Sequence, residues 1–308
     1  MFKKDVVPSM FELLEKGQVL SPCVWDCYSI KAAVDVGFEA VLLSGAAVSS
    51  ALLGIPDLGI MTVDELLYIT ERISAYSPVP VIVDFDEGYG DSPLNVYRNV
   101  ERLVKSGAKG LTLDDGMGMR GWQRLGYAAN NGGKAYEVYP TEHWLAKVKA
   151  ALAAIEGTDC MLIARTEARP VYGERGLDEC IDRCKRAEDL GAHMTLINRL
   201  YNIEECRKVA NALSGWKMFP DVESKDGVPE VELEEIDELG FNLVTMHYLE
   251  KGSMWGMTDY GRHNFANKST VYSNDHDMGG LPPEEVRVAR AMDPLDTWLD
   301  AERAFFED

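Results

Sequence analysis

The sequence predicts an α/β fold of the (β/α)8, TIM-type barrel class with a helical extension at its C-terminus. Three observations carry that expectation. Eight short apolar runs rich in β-formers recur along the 308 residues. Segments with helical periodicity lie between most of them. The runs are nearly continuous rather than alternating, which is how parallel strands buried on both faces read. A barrel takes roughly 250 residues, so one barrel with terminal extensions suits the length.

In chain order, the predicted strands are 19–26 (VLSPCVWD), 40–45 (AVLLSG), 80–88 (PVIVDFDEG), 110–116 (GLTLDDG), 161–168 (MLIARTEA), 194–199 (MTLINR), 216–221 (WKMFPD) and 243–248 (LVTMHY). The predicted helices between them are 29–37, 63–75, 93–107, 141–155, 177–191, 203–213 and 229–240. Several end in glycine, which accepts the left-handed conformation that closes a helix. A doubly wound open sheet is the alternative fold. It usually carries a glycine-rich phosphate turn after its first strand, and SPCVWDCYS has none. The βα rhythm stops near residue 250. Segments 251–269, 282–292 and 294–306 read as terminal helices, with a polar loop at 272–280. The expected organisation is a barrel domain over 1–250 and C-terminal helices over 251–308. Trp255, Trp298, Phe305 and Phe306 leave those helices with apolar surface to bury.

A formal net charge of −20 repels nucleic acid and anionic membranes, which argues against both as partners. An anionic substrate would need metal and arginine to invert that field locally. The six cysteines are scattered. Cys23/Cys27 and Cys180/Cys184 have i,i+4 spacing, but no matching histidine pairs follow, so zinc is not expected. Reduced thiols, no signal-like apolar run in MFKKDVVPSMFELLEKG, and no stretch near ~20 apolar residues predict a soluble, cytoplasmic protein.

In a barrel, chemistry collects at the C-terminal ends of the strands. Polar residues concentrate there: Ser44 and Gly45, Asp84 and Asp86, Asp114 and Asp115, Arg165 and Glu167, Asn198 and Arg199, Asp221 and Glu223. A lone acidic residue after a strand is often a helix cap; the concentration is the signal. Four aspartates on two adjacent strands repel unless a cation neutralises them. Alternation places Asp84 and Asp86 on one face and Phe85 on the other. Magnesium takes oxygen ligands and keeps waters, so it is the expected ion, with manganese as the alternative. His247, at the end of the last predicted strand, reads equally as a barrel-mouth residue and as a satisfied structural histidine.

Several ordered motifs together resemble the isocitrate lyase/phosphoenolpyruvate mutase superfamily, over about residues 20–248. SGAAVSSALLGIPDLG (44–59) is similar to the segment that sets Ser44, Gly45 and Ala46 against a substrate's carboxylate and oxo oxygens, and Asp57 matches an active-site aspartate. DFDEGYG (84–90) resembles the D-x-D-T-G-(Y/F)-G metal motif, and LDDG (113–116) occupies its I-E-D position. The resemblance thus implies Asp84, Asp86 and Asp114 as metal residues. ARTEA (164–168) matches throughout, which implies Arg165 on the substrate carboxylate. Asn198 and Asp221 are the further expected substrate contacts. The superfamily's chemistry implies a small anionic 2-oxo or 2-hydroxy acid substrate, and its assemblies imply a homotetramer that exchanges a terminal helix.

The chain also departs from the pattern. Glu87 replaces the motif's threonine, and Asp114 stands for its glutamate. QRLGY (123–127) replaces the lyases' K-(K/R)-C-G-H, so Leu125 stands where the acid cysteine would be and Tyr127 where the histidine would be; GKAYEV (133–138) then resumes a lyase-like pattern. PDVES (220–224) alters the later N-(M/I)-T-E motif, and the mutases' N-S-L-x-x-G is missing. Leucine moves no proton, so another acid is needed. Tyr127 is the candidate, with Arg124 beside it. The glycine-rich segment 117–134 is the expected lid, and Arg120, Arg124 and Lys134 could meet an anion there. The first expectation is a magnesium-dependent C–C lyase acting on a 2-hydroxy or 2-oxo di- or tricarboxylate through an enolate. A 2-oxo acid decarboxylase, a phosphonopyruvate mutase or hydrolase, and a catalytically silent ligand-binding relative are the alternatives.

Overall fold

The continuous apolar runs form strands that are covered on both faces. In the computed structural model, which describes residues 6–117, 137–222, 224–225, 228–272 and 295–306, eight parallel strands close into one barrel. They are β1 (Val19–Val24), β2 (Val41–Leu43), β3 (Val81–Asp84), β4 (Gly110–Leu113), β5 (Met161–Thr166), β6 (Met194–Ile197), β7 (Trp216–Phe219) and β8 (Phe241–Met246). Each pairs with its neighbours in sequence, and β1 closes the ring on β8. Every predicted strand forms. Each is trimmed at its C-terminal end, so the polar residues there stand in loops above the sheet.

The helices that accompany the strands are α1 (Met10–Leu14), α2 (Cys27–Val36), α3 (Gly45–Val48), α4 (Val63–Tyr76), α5 (Pro93–Lys105), α6 (Thr141–Ile155), α7 (Gly176–Asp189), α8 (Ile203–Ala212) and α9 (Leu233–Glu238). Their starts follow local chemistry. Thr62 and Glu65 cap α4 reciprocally, and Pro93 opens α5, where its missing N–H costs nothing. Helix α9 is shorter than predicted because Val228–Pro229 instead pair antiparallel with Ser224–Lys225. Periodicity did not reveal α1, α3 or the π-helical turn Ser49–Leu53, each too short to show a repeat.

The barrel interior is a layered apolar cluster that includes Leu42, Ile82, Met161, Met194 and Met218. Helix α1 belongs to that cluster: Met10, Leu13 and Leu14 are buried in it, and Phe11 meets His193 edge-on. The N-terminal end of the barrel is thereby plugged. Beyond the barrel run α10 (Leu249–Asn267) and α11 (Leu295–Phe306). Trp255 is 72% exposed and Phe265 86%, so these helices carry uncovered apolar surface. Among the described residues, no helix is long and apolar enough to cross a membrane. Much of the expected lid, the 282–292 helix and most of the 272–280 loop lie outside the described residues.

Candidate active site

The C-terminal mouth of the barrel holds a cavity of about 340 Å³, within the range of small-ligand sites. Ser44, Ala46 and Asp57 line one side. Asp84, Arg165 and Asn198 line it at the ends of β3, β5 and β6, and Asp221 and His247 after β7 and β8. Arg199, Tyr201 and Glu230 complete the polar wall.

Sequence dictates how the first of these are held. Ser44 ends β2 in extended backbone and caps the four-residue helix α3, its Oγ accepting from the Ala47 N–H at 3.3 Å. Gly45 comes next. A Cβ there would stand 3.9 Å from Asp86 Oδ2 and 4.0 Å from the Asp84 carbonyl, so the Ser44–Ala46 backbone lies directly against the aspartate loop. That loop turns sharply. Asp86, Gly88 and Tyr89 all have positive φ, and a Cβ on Gly88 would meet Val96 Cγ2 at 2.9 Å. The buried Asn99 amide pins the turn by donating to the Gly88 and Tyr89 carbonyls at 3.2 and 3.1 Å. The pleat therefore ends at Asp84. The direction of Asp86 is set by a left-handed turn and not by the alternation that the sequence suggested, although Phe85 is fully buried in the outer core as expected.

Arg165 is the centre of the charge arrangement. Its Nη1 reaches Asp84 Oδ1 at 3.2 Å, and its Nε and Nη2 reach Glu167 Oε1 at 2.7 and 2.6 Å. Thr112 Oγ1 also donates to Asp84, at 2.9 Å. The Asn198 amide donates to both Glu167 oxygens, at 2.8 and 2.9 Å. Asp84, Arg165, Glu167 and Asn198 thus form one network across β3, β5 and β6. Each member is oriented by the next, which is how a site keeps its geometry before a ligand arrives.

The four aspartates do not share one charge environment. Asp115 is fully buried away from the cavity. It accepts from Thr166 Oγ1 at 2.6 Å, from the Glu167 N–H at 2.7 Å and from Arg183 Nη1 at 3.0 Å. Burial pushes its carboxyl up to about 6, against the lowering pull of those three donors. Arg183 in turn donates to the Tyr139 carbonyl and to Glu179. From sequence, the four aspartates are expected to repel unless a cation neutralises them; Arg183 supplies that positive charge for Asp115, and Arg165 supplies it for Asp84. Asp114 accepts the Gly116 N–H at 2.8 Å, and its own N–H donates to the Asp86 carbonyl at 2.8 Å, which ties the two loops together.

Among the described residues, no three His, Cys, Asp or Glu side chains converge as a ready-made metal cage. Magnesium does not require one, because it keeps several waters. The donors that Asp84, Asp86 and Asp114 offer are hard carboxylate oxygens, the chemistry that this ion accepts. Among the described residues, the cavity wall holds four carboxylates (Asp57, Asp84, Asp221 and Glu230) against two guanidiniums, Arg165 and Arg199. That surplus of negative charge does not by itself favour an anionic ligand.

Tyr127, Arg124 and Leu125 lie outside the described residues, as does Glu223. The segment that carries Tyr127 leaves and rejoins the described structure beside Asp115. The Met117 N–H bonds the Glu137 carbonyl at 3.0 Å, and the Tyr139 N–H bonds the Asp115 carbonyl at 2.8 Å. Sequence reasoning missed Tyr201 and Glu230, which carry no motif. It also missed the contacts of His247, whose Nδ1 and backbone N–H are both held by Asp221, and whose Nε2 lies 3.0 Å from Cys23 Sγ.

Comparison with known proteins supplies a context for this arrangement. The family profile described as phosphoenolpyruvate phosphomutase matches residues 11–251. The petal death protein of Dianthus caryophyllus is 37% identical over 77% of this chain and 71% of its own length. The 2,3-dimethylmalate lyase of Eubacterium barkeri is 30% identical over 78% of each chain. Among solved structures, oxaloacetate acetylhydrolase in complex with its product oxalate is 25% identical, covers 97% of both chains and superposes with a TM-score of 0.76.

Proposed function

Because the chain belongs to the phosphoenolpyruvate phosphomutase family, we propose that it is a magnesium-dependent lyase that cleaves a C–C bond in a small 2-hydroxy or 2-oxo di- or tricarboxylate through an enolate. One observation carries the reading: Arg165 is held between Asp84 and Glu167 in a cavity with more carboxylates than guanidiniums. A divalent cation would offset that surplus and let the cavity hold a dicarboxylate. Asp84, Asp86 and Asp114 would hold the ion, directly or through water. When bound, magnesium supplies Lewis-acid polarisation of the substrate's oxygens and stabilises the enolate charge.

The chain's own residues account for the rest. Arg165 presents a fixed fork to a substrate carboxylate, its own position set by two acidic partners. Ser44, Gly45 and Ala46 lie against the aspartate loop, where backbone N–H groups meet carboxylate and oxo oxygens. Asn198 and Asp221 shape the opposite wall. Tyr127 and Arg124 retain the roles that their sequence positions imply, Tyr127 as the acid that protonates the departing enolate and Arg124 as its cationic neighbour. The exposed apolar faces of α10 and α11 suit burial against other copies of the chain, in keeping with a homotetramer. Manganese is expected to substitute for magnesium.

Titration calorimetry with oxalate tests the binding half. Oxalate is expected to bind in the presence of magnesium and to bind at least 100-fold more weakly in its absence. Turnover assays with alkylated 2-hydroxy diacids, oxaloacetate and phosphonopyruvate then separate C–C cleavage from decarboxylation and P–C chemistry. Equal oxalate affinity with and without the metal would overturn the reading.

A further inference from the structure

Three residues far apart in sequence meet on one side of the cavity. Cys23 lies on β1, Asp221 follows β7, and His247 follows β8; the β1–β8 pairing brings the first and last together. Asp221 holds His247 twice. Its Oδ1 accepts the His247 backbone N–H at 2.6 Å, and its Oδ2 bonds the ring Nδ1. With the ring proton on Nδ1, the basic lone pair belongs to Nε2, and Cys23 Sγ lies 3.0 Å from it. Cys23 sits inside the barrel opposite Leu42, and Leu42 and Thr245 line the cavity floor. Nε2 therefore points inward, toward Cys23 beside that floor. The His247 side chain itself is half exposed to the mouth.

The same order of groups, thiol, imidazole and carboxylate, serves elsewhere to activate a cysteine nucleophile. Here the surroundings forbid it. Cys23 is 3% exposed, and its thiol is held well above its ordinary range, first by burial and then by the nearby charges of Asp221 and Asp84. A thiolate is disfavoured, so the thiol serves as a weak, displaceable donor to Nε2.

We propose that His247 is the general base of this site, with Asp221 and Cys23 as its positioning residues. The inference rests on the lyase reading above. In the cleavage of a 2-hydroxy acid, the hydroxyl proton passes to Nε2, which exchanges its bond to the Cys23 thiol for one to the substrate. The oxygen's electron pair becomes the new C=O, and the breaking C–C bond leaves its pair on the departing carbon as an enolate. That carbon takes a proton from the acid of the lyase reading. Asp221 stabilises the imidazolium, which returns its proton through solvent to that acid. One proton has moved from oxygen to carbon, and no other reactant is needed.

The test uses the full chain with magnesium, and 2,3-dimethylmalate with other alkylated 2-hydroxy diacids as probes. His247→Ala is expected to lower kcat at least 100-fold, with KM and magnesium-dependent oxalate affinity within about threefold of wild type. Added imidazole should restore part of the lost kcat. Cys23→Ala should lower kcat about 10-fold or more without raising KM, the split that a purely structural role does not produce, and Asp221→Asn should lower kcat at least as far. If His247→Ala binds oxalate and cleaves at the wild-type rate, this proposal falls and the lyase reading stands. If the wild-type protein binds oxalate with magnesium and cleaves oxaloacetate but none of the 2-hydroxy diacids, the general-base proposal falls and the lyase reading stands for 2-oxo substrates alone.

Discussion

Replacing Arg183 with methionine is the sharpest test of how the site is supported. The guanidinium and the Asp115 carboxylate are essentially inaccessible, at 1% and 0% exposure. Arg183→Met keeps the apolar stem and removes the charge, leaving Asp115 with Thr166 Oγ1 and the Glu167 N–H as donors. Breaking one partner of a buried pair costs about 3–5 kcal/mol. At roughly 2 °C per kcal/mol for a chain of this size, the melting temperature should fall by about 6–10 °C. The loss should depend on pH, and its sign follows from Asp115. Its carboxyl already stands at about 6 with Arg183 present, a displacement equivalent to about 3 kcal/mol of ionisation cost. Without Arg183 it rises further. An acid whose folded pKa is raised contributes full stability below its unfolded value of about 4 and loses it as pH climbs through the folded value. The deficit of Arg183→Met relative to wild type should therefore be largest at pH 8 and shrink as the medium is taken below pH 6. Urea unfolding at pH 8 and pH 5 measures both. A deficit under about 1 kcal/mol, or one that does not change with pH, would refute the assignment of Asp115 and Arg183 as a buried, mutually dependent pair.

Two further outcomes follow from the same geometry. Asn99→Ala strips both amide bonds from the Gly88 and Tyr89 carbonyls, and should cost about 2–3 kcal/mol; thermal melting reads that cost, and calorimetry should show weaker magnesium uptake because the Asp86 turn loosens. Arg165→Lys replaces a fork with a point charge and cannot span Asp84 and Glu167 in the same way, so magnesium-dependent oxalate binding should weaken roughly 10- to 100-fold. Binding within twofold of wild type would show that the fork is dispensable.

The barrel was legible because its evidence is local. Each strand announces itself as a continuous apolar run, and the runs repeat with helices between them. The placement of Ser44, Asp84, Arg165, Asn198 and Asp221 around one cavity followed from strand ends, and that of Asp57 from the family motif. What remained hidden was long-range or irregular. The partner of Asp115 stands 68 residues away on α7, so counting charges along β3 and β4 could not find it. Asp86 escaped the alternation rule because three left-handed residues in DFDEGYG replace the pleat. His247 was ambiguous in sequence because its meaning lies in Cys23, 224 residues earlier, and only the closure of β1 on β8 joins them.

Helix α1 gives the barrel a consequence for traffic. With Met10, Leu13 and Leu14 packed against the side chains that fill the interior, the cavity among the described residues opens only toward the C-terminal rim. Under the proposed lyase reading, substrate enters and both fragments leave through the same rim. The fragment nearer the floor cannot depart until the outer one has cleared the way. Release is then sequential, and the fragment that leaves last should compete directly with incoming substrate, while the first to leave should inhibit in a noncompetitive pattern.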